Sequence, residues 1–108
     1  MPASGNAPNR DPATLLDALR AQEVSLRAAG VERLHVFGSV ARGEATSASD
    51  ADLFIDQADP DHFDLLDLLA IGDQLRTALR GVEVDLATRA SLHPILRPAI
   101  EASALRVF

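Results

Sequence analysis

Residues 38–55 read GSVARGEATSASDADLFI, and this stretch decides how the rest of the chain is to be understood. It holds a Gly-Ser turn, one arginine and two carboxylates separated by a single residue. If Asp50 to Ile55 forms a strand, alternation turns Asp50 and Asp52 to one face and Ala51, Leu53 and Ile55 to the other. Two carboxylates then share a small volume. Such a pair repels itself unless a proton is shared or a cation lies between, and hard oxygen ligands suit Mg²⁺, which combines one or two carboxylates with substrate phosphates. Just upstream, the apolar run Leu34 to Phe37 ends at Gly38 and Ser39. A glycine there lets backbone approach a ligand closely, and Ser39 adds a hydroxyl and the free N–H groups of a helix start. Arg42 follows one turn later on the same side, within reach of the same phosphates. The loop Glu44 to Ser49 is small and hydroxyl-rich, long enough to return Asp50 to the side of Ser39.

Working outward, residues 1–10 (MPASGNAPNR) are small, polar and rich in Gly, Pro and Asn, and read as a mobile tail before one domain over residues 11–108. Asp11-Pro12 supplies a cap and first-turn proline for a helix of about five turns, with Leu15, Leu16, Leu19 and Leu26 at helical spacing until Gly30. Val31 to Phe37 is the first strand. Asp50 to Ile55 is the second, antiparallel to the first or in a mixed sheet with it. Asp59-Pro60 marks the start of a second long helix, whose stripe Phe63, Leu66, Leu69, Leu75 and Leu79 runs to Gly81. Leu65, Leu68 and Ile71 widen its apolar face, so the spacing predicts one flank buried by the sheet and another, centred on Leu68, left for a partner or a second copy.

Val82 to Ala87 alternates, with Val82, Val84 and Leu86 on one face and Glu83, Asp85 and Ala87 on the other. Glu83 lies two residues from Asp85, about 7 Å along the strand. Pro94 and Pro98 place an irregular helix between Ser91 and Ala102, starting near Pro94, and Ala104 to Phe108 reads as a terminal edge strand. Asp56 shares the parity of Asp50 and Asp52 but lies about 13 Å beyond Asp52, and reads as a turn residue. Asp61, Asp64, Asp67 and Asp73 read as the solvated face of the second helix. His35, His62 and His93 are too scattered to form a metal set and read as structural or surface groups. The fold class is therefore α+β, a mixed sheet of about four strands packed against two long helices with shorter ones beside them.

Composition narrows the function. The chain has 108 residues, room for one modest core, and 16 acidic against 10 basic side chains, for a net charge of −6. All ten basic residues are arginine and none forms a basic run. Nucleic-acid binding is disfavoured, because phosphate contacts drive that affinity. Cysteine is absent, so disulfides and thiolate metal sites are excluded. The first residues lack the blocks of a signal peptide and no apolar run reaches membrane-spanning length, so the expectation is a cytoplasmic protein with no membrane partner.

The combined string of Phe37, Gly38, Ser39, ten intervening residues, Asp50, Ala51, Asp52 and Leu53 resembles the signature of the DNA polymerase beta-like nucleotidyltransferases. Arg42-Gly43 and Ser49 look like its minimal nucleotidyltransferase branch, whose members are about this short and often act as antitoxins beside HEPN-domain ribonucleases. The similarity runs from about Leu15 to the C-terminus. The resemblance implies that Asp50, Asp52 and Asp85, the last in the family's hydrophobic-Asp-Leu context, are catalytic residues and ligands of two Mg²⁺ ions. It implies that Gly38, Ser39, Arg42 and Ser49 bind nucleotide phosphates. It further implies transfer of a nucleoside monophosphate, AMP from ATP, to a hydroxyl acceptor on a HEPN-type toxin. A homo-oligomer is a further association to test. The alternative is a non-catalytic antitoxin or protein-binding module that neutralises a partner by docking, and a third reading is a nucleotide sensor without turnover. A standalone small-molecule modifier needs an acceptor-binding domain for which 108 residues leave no room.

Overall fold

The computed structural model describes residues 12–45 and 49–108; the tail, the Asp11 cap and the middle of the Glu44 to Ser49 loop lie outside the described residues. Strand β1 (Val31–Phe37) and strand β2 (Ala51–Gln57) form an antiparallel pair, one of the two arrangements expected for so short a connection. Strand β3 (Val84–Thr88) runs parallel to β2, and the two-residue β4 (Leu105–Arg106) closes the other edge against β1. The order is β3-β2-β1-β4, a mixed four-stranded sheet.

One face of this sheet is apolar. Leu34 and Val36 of β1 and Ala51, Leu53 and Ile55 of β2 are each at most 1% exposed, and helices cover them. Burying each of the larger side chains contributes about 1.5–3 kcal/mol, which is why the alternation sets strand register: a one-residue slip would move the whole set into water.

The first helical region departs from expectation. It is two helices, α1 (Pro12–Arg20) and α2 (Glu23–Ala28), broken at Ala21 and Gln22. Leu15, Leu19 and Leu26 are all buried, as their spacing predicts, but the polar residues between Leu19 and Leu26 let the chain turn. The break is tied down from outside, since the Gln74 side-chain amide donates to Gln22 and Ser25, each at 2.9 Å.

The long helix α4 (Leu65–Ala78) also begins later than the Asp59-Pro60 signal implied. Pro60 to His62 forms only a short 3₁₀ turn. Asp64 caps α4, accepting from the Asp67 amide at 2.9 Å while Asp67 accepts from the Asp64 amide at 2.9 Å, a reciprocal pair that satisfies two otherwise orphaned donors. Its buried stripe is Ile71, Leu75 and the following Leu79, with Leu68 packed partly against the core. Leu65, Leu66 and Leu69 face solvent, at 67%, 73% and 54% exposure. The expected stripe is buried at Leu75 and Leu79 but not at Leu66 and Leu69, which are outside, and Leu68 is not the exposed centre. Leu68, Ile71, Leu75 and Leu79 make one stripe at helical spacing and Leu65, Leu66 and Leu69 make another, so periodicity alone could not choose.

Helix α3 (Gly38–Ala41) joins β1 towards β2, and α5 (Arg97–Ser103) precedes β4. Neither Ser91 nor Pro94 starts α5. Arg89 to Ser91 form a separate 3₁₀ turn, and Pro98 occupies the first turn of the helix, where a missing N–H costs nothing. Beyond β4, Val107 and Phe108 return to the core.

Candidate functional site

Across a β-ladder, paired residues present their side chains to the same face. Phe37, Asp52 and Asp85 are paired in one row across β1, β2 and β3, on the sheet face opposite the leucine core. Asp50 precedes β2, and its side chain is exposed, as is that of Asp85. Asp52 is only partly exposed. Burial, then the neighbouring charge of Asp85 and that of Asp50, push the Asp52 carboxyl above its ordinary value, and Arg42 offsets this only in part. Negative charge thus accumulates at the start of β2 without a matching cation.

Gly38 is required here. It has φ +72°, and a Cβ built on it would fall inside the van der Waals envelope of the Asp52 carboxylate, 3.2 Å from the carboxyl carbon. The β1-to-α3 turn therefore packs its backbone against the very carboxylate that the strand pairing sets beside Asp85. Ser39 is half-buried beside it, and its carbonyl accepts from the Glu44 amide at 2.8 Å, which folds the loop back over the turn. Ser49 stands immediately before Asp50, at the mouth of β2. Arg42 follows α3; its Nε donates to the Glu44 carboxylate at 2.7 Å, with half of the side chain in solvent. An exposed pair of this kind holds weakly and yields to a stronger anion.

Among the described residues no three carboxylates or imidazoles stand arranged as a ready-made metal cage, so the ligand set that the resemblance implies, Asp50, Asp52 and Asp85, is not preassembled. The donor set nonetheless suits a hard divalent ion. It is all oxygen, it contains no thiolate, and the Asp52 carboxyl is destabilised by the charges a cation would neutralise.

The far end of the same face corrects the reading of Asp56. It belongs to β2, not to a turn. Arg89 holds it with two bonds, Nε to Oδ1 at 2.6 Å and Nη2 to Oδ2 at 3.0 Å, and His35 Nε2 lies 3.3 Å from Oδ2. These bonds, Arg89 foremost, keep the Asp56 carboxyl below its ordinary range. Arg89 Nη1 also reaches Glu101 of α5 at 2.5 Å, and its guanidinium lies 4.9 Å from the centre of the Phe54 ring. His35 stacks on the same ring, its centre 4.5 Å from that of Phe54. Burial lowers the His35 pKa despite the nearby Asp56, with Arg89 and Arg106 reinforcing the shift. His35 is thus structural, as expected. The Arg89 link was invisible in the sequence, because its partners lie 33 and 12 residues away; the parity that Asp56 shares with Asp52 was the one available signal.

Comparison with known proteins shows the family and the fold. The family model described as a nucleotidyltransferase domain matches residues 17–107. A candidate protein adenylyltransferase of Methanocaldococcus jannaschii is 38% identical over 78 residues, 72% of this chain and 81% of that one. The solved structure of a candidate minimal nucleotidyltransferase is 40% identical, with a TM-score of 0.72 over 88% of this chain and 94% of that one. A tri-AMPylated Shewanella oneidensis HEPN toxin in complex with MNT antitoxin shares the fold at 19% identity, with a TM-score of 0.60 over 86% of this chain and 71% of the other. The chain belongs to the nucleotidyltransferase domain family, in the minimal nucleotidyltransferase branch that the string from Gly38 to Asp52 resembles.

Proposed function

We propose that this chain transfers AMP from ATP to a hydroxyl on a partner protein of the HEPN toxin type, with loss of pyrophosphate. The observation that carries the proposal is the row at the start of β2. Asp52 stands opposite Asp85 on parallel strands, Gly38 lies against its carboxylate, and Asp50 crowds it further. In this reading Asp50, Asp52 and Asp85 hold two Mg²⁺ ions. When bound, the metal supplies charge neutralisation on the α-phosphate and the departing pyrophosphate.

The chain's own residues do the rest. Ser39 and the amides around Gly38 steady the outer phosphates, and Ser49 borders the same mouth. Arg42 exchanges its exposed Glu44 partner for a phosphate oxygen. Asp85, on the outermost strand and open to solvent, takes the proton from the acceptor hydroxyl as its oxygen bonds to the α-phosphorus and the bond to pyrophosphate breaks. The M. jannaschii relative, described as a candidate protein adenylyltransferase, favours a protein acceptor, and the AMP-bearing toxin in the Shewanella complex names a partner class to try first. Leu65, Leu66 and Leu69 of α4 offer an apolar surface for such a partner or for a second copy. Among the described residues no helix is long and apolar enough to cross a membrane, in keeping with a cytoplasmic place of action.

The test is incubation with Mg²⁺, α-labelled ATP and a HEPN-type toxin co-expressed with this chain. Label should move to the toxin with release of pyrophosphate, and Asp52→Asn should abolish both. The docking alternative predicts that toxin neutralisation survives Asp52→Asn and is lost on Leu66→Glu. No label transfer, with neutralisation intact in Asp52→Asn, would decide for docking.

A further inference from the structure

A cavity of about 340 Å³ opens at the far end of β2, with Glu32, Arg33, Asp56, Pro60, Arg89 and Arg97 in its lining. It is four residues along the strand from Asp52, about 13 Å, and shares none of the residues assigned to nucleotide or metal. Its volume falls at the small end of ligand pockets. Its charge is unusual for so acidic a chain: three guanidinium groups face two carboxylates.

The two carboxylates are already engaged. Asp56 is held by both Nε and Nη2 of Arg89, whose Nη1 goes to Glu101. Glu32 pairs with Arg33 at 3.4 Å. Arg97 is left over. Its Nη2 donates to the Ala90 carbonyl at 2.9 Å, which fixes the plane of the guanidinium, and no carboxylate among the described residues pairs with it. Its Nε is shut off from water with no hydrogen-bond acceptor. The Nε is as closed to an anion as it is to water, so a ligand in the cavity would meet this unneutralised cation at Nη1, for which no hydrogen-bond partner stands among the described residues.

We propose that this cavity is a second binding site, for a small ligand carrying an oxyanion group, phosphate or carboxylate, held by Arg97 and by an Arg33 released from Glu32. Arg89 closes the wall and contributes field, since its own donors are occupied. A ligand there would bridge the start of β1 to the start of α5.

The experiment follows the arginine Nε–H resonances of the ¹⁵N-labelled protein during titration with inorganic phosphate, and separately with acetate, at constant ionic strength set by chloride and without nucleotide or divalent metal. The Arg97 Nε–H signal should shift saturably in the millimolar range. Arg97→Gln should weaken binding about tenfold or more, Arg33→Gln less, and Asp52→Asn not at all. A stronger response to phosphate marks a phosphorylated ligand, and a stronger response to acetate a carboxylate. If Arg97→Gln does not fold, Arg97→Lys serves, keeping the charge and losing the fork, and it should weaken binding too. Absence of a saturable shift at Arg97, or binding that survives both Arg97 variants, overturns the proposal.

Discussion

Asp52 and Asp56 lie on one face of one strand, and their surroundings push them in opposite directions. At the start of β2 the Asp52 carboxyl is raised by burial, Asp85 and Asp50. At the end of β2 the Asp56 carboxyl is lowered, chiefly by Arg89. The same residue type serves two purposes. A carboxylate with its cation built into the chain is a fastener between β2, the Arg89 turn and α5. A carboxylate set among others, with a glycine turn pressed against it, has the surroundings that the proposed metal site requires.

The largest effect that could break this comparison is on turnover. Asp52→Asn should reduce AMP transfer about a thousandfold or more, since the metal contributes several kcal/mol of charge stabilisation. Asp56→Asn should change the turnover of folded protein by less than about tenfold, read from the rate of pyrophosphate release. Equal losses would mean that the two aspartates do not differ in role.

Stability should show the reverse order. Arg89→Met leaves Asp56 without its main partner and should lower unfolding free energy by about 2–3 kcal/mol, towards the low end for a buried pair because a third of the Arg89 side chain meets solvent. Asp52→Asn, removing a carboxylate from a repulsive cluster, should raise stability by about 1 kcal/mol in metal-free buffer. Urea unfolding measures both, and destabilisation by Asp52→Asn would contradict the picture of uncompensated charge.

Acid should act mainly through the far end. The folded His35 pKa lies below its ordinary 6.5, so the unfolded chain takes up the proton first and stability falls as pH drops through and below that value. Asp56, with a folded pKa below 3.8, contributes stability that is fully present above the ordinary carboxylate value and is lost as pH falls through the folded one. In Asp56→Asn the second decline should flatten, as followed by thermal melts from pH 7 to pH 3. The smallest effect concerns the surface: Leu66→Glu should shift stability by no more than about 0.5 kcal/mol while reducing association, read by sedimentation with the partner.

Much of this was legible in the residues. The apolar run to Phe37 and the alternation over Asp50 to Ile55 located both central strands, because such patterns translate directly into geometry, whereas Asp85 was set beside Asp52 only by the family resemblance, which the strand pairing agrees with. The break at Gln22 was not legible, since it is held by Gln74 from another helix. Nor was the outward face of α4, because two leucine stripes competed for the core and only packing chose between them. Asp56 escaped because its partners, Arg89 and His35, are distant in sequence and obey no local period. The site was readable where it depends on spacing along the chain and unreadable where it depends on what the fold brings across it.

The claim that the start of β2 is the metal end is tested most directly by counting Mn²⁺ bound in the presence of ATP, from the paramagnetic resonance signal of the free ion. The wild-type chain should bind Mn²⁺ together with ATP, Asp56→Asn should match it, and Asp52→Asn should lose it. Binding that survives Asp52→Asn, or that disappears in folded Asp56→Asn instead, would contradict the assignment.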